Sequence, residues 1–321
     1  MNKARLVNTN EIVYAGNLLR DFPNYRELNF VCIDEECSVP MAPSCILKSE
    51  RKKPHFKKYR NQEHSVTCEY AVIDELVQKG KGQKLNKTEV KKIGYPSVFD
   101  VRDEIDEIEK LPSQARPDND DPGVTGRGGM IKVYEFDAEN IKFDRSNKVQ
   151  SIDRIVDWYL GFPHNRDVEL EIHGKKIEYR YFFKRIADHT DSSTLKNERI
   201  FYGIVKLSNG NKNIFNKYAG NVFINLLGYK DIDDQTGKPH NYSVRINKKS
   251  ITKQMLGKLK NKFESLFDEA YMDLNTGRNA PNIHLFVFVY GSLDENNDTL
   301  INVKKHHITF RYDEVRKTMN E

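Results

Sequence analysis

The chain has 321 residues, 38% hydrophobic and 31% charged, which suits two domains, each with a core beneath a heavily charged surface. No stretch approaches the roughly 18 uninterrupted apolar residues of a membrane-spanning helix, and the N-terminal MNKARLVNTNEIVYAGNLL lacks the apolar core and small-residue cleavage site of a secretory signal. All four cysteines lie between residues 32 and 68, which reads as a reducing, cytoplasmic setting with thiolates free to hold metal rather than as a disulfide framework.

The net charge of +5 is unevenly spread: residues 1–99 carry 17 Lys+Arg against 12 Asp+Glu, and residues 100–121 carry 3 against 9. Two basic modules therefore flank an acidic strip. Basic faces attract polyanions through counterion release, although many solvated surfaces are also rich in lysine.

Three parts follow in chain order. The first, residues 1–95, is a basic zinc-binding domain. It opens with Asn10-Glu11 leading a predicted helix, EIVYAGNLLRD. LNFVCI at 28–33 reads as a strand that delivers Cys32. Residues 34–63 read as turn-rich and basic. EYAVIDELVQKG at 69–80 reads as a helix, with Tyr70, Ile73, Leu76 and Val77 at helical spacing and Gly80 or Gly82 ending it. The second part, residues 96–129, is an acidic linker: DVRDEIDEIEK is a charged helical stub, and PSQARPDNDDPGVTGRGG has almost nothing to bury. Such a strip either is plainly solvated or mimics phosphate in an empty basic groove.

The third part, residues 130–321, reads as a mixed α/β domain with a mostly antiparallel sheet, making the whole chain α+β. IKVYEF at 131–136 alternates like a strand. SIDRIVDWYLGF at 151–162 is a helix with Ser151 as its N-cap, and Ile152, Ile155, Val156 and Tyr159 form its buried stripe. Residues 167–183 form a hairpin turning near His173-Gly174-Lys175. Strands follow at 199–207, 221–229 and 243–247. Residues 249–274 form the clearest helix, with Met255, Leu259, Phe263, Leu266, Phe267 and Tyr271 along one face. IHLFVFVYGSL at 283–293 is apolar enough for a central strand, and residues 300–312 finish the sheet.

Cys32, Cys37, His64 and Cys68 read Cys-x4-Cys, a gap of 26 residues, then His-x3-Cys. Two short chelating pairs of this kind close a tetrahedral zinc site. A closed Cys3His set leaves no open coordination position, so its zinc would be structural. His55 is an alternative fourth ligand. Cys45, beside Ile46 and Leu47, reads as a small buried residue.

The pattern Phe30-x-Cys32-x4-Cys37, the basic stretch with Pro54-His55-Phe56, and His64-Ser65-x-x-Cys68 resembles the N-terminal zinc-finger region of the competence protein CoiA family. The resemblance covers about residues 28–70. It departs in spacing, x4 where x2 is usual, and in HFKK where the family tends to His-Phe-Ala-His. In that family the finger precedes a nuclease-like domain associated with incoming DNA. The resemblance therefore implies bacterial DNA processing or anti-phage defence.

Inside the zinc loop lie Lys48, Arg51, Lys52, Lys53, Lys57, Lys58 and Arg60, interleaved with Phe56 and Tyr59. Cations neutralise phosphates and aromatic rings stack on exposed bases. The alternative is a solvated loop whose two rings pack on the metal knuckle. A second cluster, Lys79, Lys81, Lys84, Lys87, Lys91 and Lys92, follows the helix and suits phosphate tracking with little base specificity.

For a Mg²⁺-dependent nuclease the best local match is Asp167 with Glu178, Arg180 standing where a lysine is usual. His306 and His307, adjacent on a strand, should point to opposite faces. No P-loop, Gly-x-Ser-x-Gly, His-Glu-x-x-His or dinucleotide fingerprint is present. The leading expectation is a zinc-stabilised protein that binds nucleic acid, DNA above all, with low sequence specificity, and whose C-terminal domain docks a protein partner or acts on the nucleic acid. The alternatives are the metal-dependent nuclease and an interaction adaptor that binds no nucleic acid.

Overall fold

The computed structural model describes residues 3–46, 54–65, 68–101, 148–208, 211–217, 220–277 and 282–315. They divide into two compact units, residues 3–95 in one and residues 96–101 with 148–315 in the other. The class is α+β. The acidic linker beyond residue 101 and the strand expected at 131–136 lie outside the described residues.

The first unit is built on an antiparallel sheet of β1 (Lys3–Leu6), β2 (Ile12–Tyr14), β3 (Phe30–Val31), β4 (Pro40–Ser44) and β5 (His55–Lys58), in the order β2-β1-β3-β4-β5. The helix expected from Glu11 is half replaced: residues 12–14 form β2, and the rest is helical, a 3₁₀ turn at Ala15–Asn17 running into α1 (Leu18–Asp21). Ile12, Val13 and Tyr14 are β-formers, and pairing with β1 (Lys3 opposite Tyr14) outweighs a weak helical periodicity. The supposedly turn-rich stretch contains the β4–β5 hairpin, with Pro43 opposite Phe56 and Ser44 opposite His55. Two helices follow, α2 (Glu69–Gly82) where expected and α3 (Lys87–Ile93). Leu6, Val13, Leu18, Phe30, Met41 and Phe56 form the core, and Cys32 and Cys68 are buried within it.

The second unit begins at β6 (Val98–Phe99), within the segment read from sequence as linker. β6 runs parallel to both β7 (Lys148–Val149) and β8 (Glu169–Ile172). Two residues are too short a run to announce a strand. Between β7 and β8 stands α4 (Ile152–Gly161), whose first turn is capped by Ser151 accepting from the Asp153 N–H at 3.2 Å. β8 and β9 (Lys175–Glu178) form the expected hairpin, turning at His173 (φ +49°) and Gly174 (φ +75°). After the turn α5 (Tyr179–Phe182) come β10 (Phe183–Ile186), β11 (Arg199–Ile204), the turn α6 (Ile214–Lys217), β12 (Asn221–Ile232), β13 (Pro239–Asn247), α7 (Lys253–Asn275), β14 (Ile283–Leu293) and β15 (Leu300–Glu314).

The larger sheet has the order β10-β11-β14-β15-β13-β12, with β14 central. Its β10–β11 and β13–β15 pairs are parallel and the other three antiparallel. It curls, because β12 also meets the end of β11 through a bridge between Val205 and Leu226. Phe201, Val222, Ile224, Val287, Val289 and Phe310 fill one face under Phe263 and Phe267 of α7. Met255 and Tyr271, expected on the buried stripe of α7, are exposed. On the other face Tyr202 and Phe288 stack, and Tyr159 of α4 stacks on Phe183 with ring centroids 3.8 Å apart.

A bulge interrupts the β14–β15 ladder. Pairing passes from Val289–Ile308 to Gly291–Val303, leaving extra residues on β15, and Lys305 takes φ +52°. The expected opposition of His306 and His307 fails because of it: the rings lie side by side with centroids 4.5 Å apart. A Cβ on Gly291 would lie 1.9 Å from the Asn302 carbonyl oxygen, so only glycine fits.

One ionic network, unannounced by the sequence, ties α4 and α7 to β15. Asp153 and Asp157, one helical turn apart, both face Arg311, which is 4% exposed. Arg311 donates to Asp157 Oδ1 from Nε at 2.9 Å and from Nη2 at 2.7 Å, and to Asp153 Oδ1 from Nη2 at 2.9 Å. Lys262 of α7 donates to Asp153 Oδ1 at 3.0 Å and to Thr309 Oγ1 at 2.7 Å, and the Thr309 hydroxyl donates to Asp153 at 2.6 Å. Burial opposes ionisation of Asp153, yet Arg311, Lys262 and the Thr309 hydroxyl hold its carboxyl well below the usual range. Burial, helped by the charge of Asp153, pushes Asp157 up to about 6 against the pull of Arg311. Two acids and two bases make the cluster neutral when all are ionised, the condition for burying charge at tolerable cost.

Candidate metal centre

Both chelating pairs are set by local backbone geometry in the first unit. β3 carries the chain to Cys32, whose N–H donates to the Val39 carbonyl at 2.9 Å. A tight turn follows: the Cys37 N–H donates to the Asp34 carbonyl at 3.2 Å, Glu36 N–H to the Asp34 carboxylate at 3.1 Å, and Ser38 takes φ +43° to leave the knuckle. The second pair forms where the chain enters α2. The Cys68 N–H donates to the Ser65 carbonyl at 2.9 Å, and Cys68 is the residue before the helix.

These turns bring Cys32, Cys37, His64 and Cys68 together with all four ligand atoms within 4.8 Å of one another. The Cys32 and Cys68 sulfurs are 3.8 Å apart, and His64 Nδ1 lies 3.2 Å from Cys37 Sγ and 3.7 Å from Cys68 Sγ. A tetrahedron with Zn–S near 2.3 Å and Zn–N near 2.0 Å has S···S edges of about 3.8 Å and S···N edges of about 3.5 Å. The donor set suits zinc, and these three distances lie within about 0.3 Å of such edges. The thiols are free, and 3.8 Å is far longer than the roughly 2.05 Å of a disulfide.

His64 rather than His55 belongs to this set. His55 lies on β5 opposite Ser44. Cys45 also stands apart, with φ +55° and its sulfur 3.7 Å from Ser44 Oγ. Burial pushes the Cys32 and Cys68 thiols up, while the N–H groups of Asp34 and Ala71, facing the respective sulfurs, pull them down. The Ser65 N–H points at Cys37 Sγ from 3.4 Å. Backbone donors aimed at sulfur steady thiolates, and a cation among them offsets the cost of burying negative charge.

The basic–aromatic stretch is only partly arranged as expected. Lys48, Arg51, Lys52 and Lys53 lie outside the described residues. On β5, alternation turns Phe56 inward, where it is 1% exposed with its ring centroid 5.1 Å from that of Phe30. Phe56 is therefore a core residue, and the expectation that it stacks on bases is corrected. Lys57 and Arg60 are exposed, Tyr59 is 54% exposed, and Lys58 pairs with Glu63 at 2.5 Å.

In the second unit, Asp167 precedes β8, and Glu178 sits opposite Glu169 at the open end of the hairpin. Arg180 Nε is 2.5 Å from Glu178 Oε2, and Asp167 adds to the field that raises the Arg180 guanidinium. The hairpin thus gathers Asp167, Glu178 and Arg180, with the guanidinium neutralising the carboxylate that a Mg²⁺ ion would need. Among the described residues, Cys32, Cys37, His64 and Cys68 are the one group of three or more metal-ligating side chains that converges.

Sequence reasoning missed a cleft of about 290 Å³ at the ends of β6, β7 and β8, where Val98, Phe99 and Val101 meet Asp100, Lys148, Glu171 and His173. Asp100 is buried and pairs with Lys148 at 3.0 Å. Tyr290 O–H donates to Glu198 at 2.9 Å and lies 3.4 Å from His173 Nε2. The signal available was Val98-Phe99-Asp100, an apolar pair ending in an acid, masked by the acidic run that follows.

Comparison with protein-family models, curated proteins and solved structures finds no match for this chain.

Proposed function

We propose that Cys32, Cys37, His64 and Cys68 hold one structural zinc ion, and that the unit it staples binds the phosphate backbone of nucleic acid with little sequence preference. The observation that carries the reading is the convergence of the four ligand atoms within 4.8 Å of one another, with the Cys32–Cys68, Cys37–His64 and Cys68–His64 pairs at 3.8, 3.2 and 3.7 Å. Zinc supplies coordinate cross-links and neutralises the thiolates; with four protein ligands it leaves no position for a reacting water.

Support for the nucleic-acid partner comes from what the staple presents. β5 leads directly toward His64, and its end carries exposed Lys57, Tyr59 and Arg60, with Lys48, Arg51, Lys52 and Lys53 just before it in sequence. Lysine and arginine release counterions from phosphates, and one exposed ring offers stacking that every base accepts. The resemblance of residues 28–70 to the CoiA finger region points the same way and suggests a place in bacterial DNA processing or defence.

The test is fluorescence anisotropy with labelled DNA and RNA at low salt, comparing wild type with a variant carrying Glu at Lys52, Lys53, Lys57 and Lys58. The reading expects micromolar or tighter binding that the variant loses while it keeps its zinc. Binding too weak to measure in wild type, or unchanged in the variant, would overturn it.

A further inference from the structure

Among the described residues, exposed cations are more concentrated on the α2–α3 helical hairpin than on β5. α2 closes with the Gln83 N–H donating to the Lys79 carbonyl, and α3 starts four residues later at Lys87. Asn86 caps α3 through a reciprocal box: its side chain accepts from the Thr88 and Glu89 N–H groups at 3.0 Å, and Glu89 accepts from the Asn86 N–H at 2.9 Å. Glu89 also takes Lys79 at 2.5 Å. Ile73, Val77, Leu85, Val90 and Ile93 are buried on the inner side. The turn is therefore held by a cap, an ion pair and a row of apolar anchors.

Its outer side carries Lys81, Lys84, Lys87, Lys91 and Lys92, all exposed. Glu89 is the single acid between residues 76 and 99, and it is occupied within the hairpin. Among the described residues Lys87, Lys91 and Lys92 have no ion pair. Lys87 gains α3 nothing locally. It sits in the first turn, where the helix dipole disfavours a cation, and Lys91 is a like charge at i+4, which repels it. A rigid frame that carries repelling cations at some cost to itself is suited to an external polyanion.

We propose that the α2–α3 hairpin is a duplex-binding element that lays Lys87, Lys91 and Lys92 along a phosphate backbone. This rests on the nucleic-acid reading above and extends it from the metal loop to a second surface. Duplex is favoured over single strand because no Phe, Tyr, Trp or His occurs between residues 71 and 94. Single-strand binders pair cationic grooves with stacking rings, whereas contacts to phosphates alone follow a duplex without reading its sequence.

The experiment measures the salt dependence of binding between 50 and 200 mM on the order of Debye-screened conditions, with the full-length zinc-loaded chain and two probes, a mixed-sequence DNA duplex and one of its strands. Wild type is compared with a triple variant, Lys87→Gln, Lys91→Gln and Lys92→Gln. Each lost phosphate contact lowers the slope of log K against log salt by about 0.9, so the variant should lose about 2.7 on duplex. Duplex affinity should fall at least about tenfold at the lower salt, with a smaller effect on the strand. Zinc content should stay unchanged. If the variant holds duplex with wild-type slope and affinity, the hairpin inference fails and the nucleic-acid reading stands. A loss confined to the single strand also overturns the inference. Absence of wild-type binding to both probes removes the underlying reading itself.

Discussion

Cys68→Ser tests whether a metal, rather than ordinary packing, staples the first unit. Cys68 and Cys32 are 36 residues apart in sequence, and their sulfurs are 3.8 Å apart. A cross-link closing a loop of that length restricts the unfolded chain by about 4 kcal/mol on the chain-entropy account. Serine is nearly isosteric but is no match for a thiolate as a zinc ligand, so the substitution should remove most of that contribution and leave a buried hydroxyl. About 4 kcal/mol is a large share of the 5–15 kcal/mol that holds a domain folded. The assay is native-state hydrogen exchange read by peptide. Protection over β1, β3 and β5 should drop by about three orders of magnitude, since each 1.4 kcal/mol is tenfold, while protection over β14 and β15 stays as in wild type. Cys45→Ser, outside the cluster, should change neither. If β1 and β3 keep their protection in Cys68→Ser, the claim that a metal stabilises this unit is wrong.

Other outcomes follow from the same structure. Gly291→Ala sets a methyl group 1.9 Å from the Asn302 oxygen and should destabilise the second unit by about 3 kcal/mol or more, seen as a lower midpoint in urea. Phe56→Ala should cost about 3–5 kcal/mol of stability, whereas Tyr59→Ala should leave stability unchanged and weaken binding of a single-stranded probe by about 1–3 kcal/mol. Asp153→Asn leaves Lys262 and Arg311 facing one acid and should cost about 3–5 kcal/mol at neutral pH. In wild type the Asp153 carboxyl lies below its ordinary value, so its stabilisation is full above about pH 4 and is lost as the pH falls further. Asp157 is raised to about 6, so the folded chain holds its proton more tightly than the unfolded chain, and stability declines as pH rises from about 4 to about 6. Asp157→Asn should abolish that decline, and urea midpoints across this range check it.

The Cys/His cluster was legible because chelation constrains spacing: Cys-x4-Cys and His-x3-Cys are local patterns, and each sits on one turn of backbone. The choice between His55 and His64 was not legible, since it depends on β5 pairing with β4 and carrying His55 along with it. Phe56 and Tyr59 looked equivalent for a similar reason: a four-residue strand is too short for its alternation to show which residue faces inward. Long elements with strong caps or turns, such as the Ser151-capped helix and the His173-Gly174 hairpin, were readable to within a few residues. The Arg311 network was hidden because its members are separated by up to 158 positions. The one local clue was a pair of acids at i and i+4 on a helix whose neighbours are apolar. The β15 bulge was likewise invisible, since it exists only relative to β14.

The central claim is that one zinc ion joins Cys32, Cys37, His64 and Cys68. The direct measurement is the zinc content of the purified full-length chain, with native thiol titration alongside. The account predicts one zinc per chain, retained in His55→Ala and lost in His64→Ala, with Cys32, Cys37 and Cys68 unreactive until a chelator is added. A chain that purifies without zinc and does not take it up, or one that keeps its zinc in His64→Ala, would contradict it.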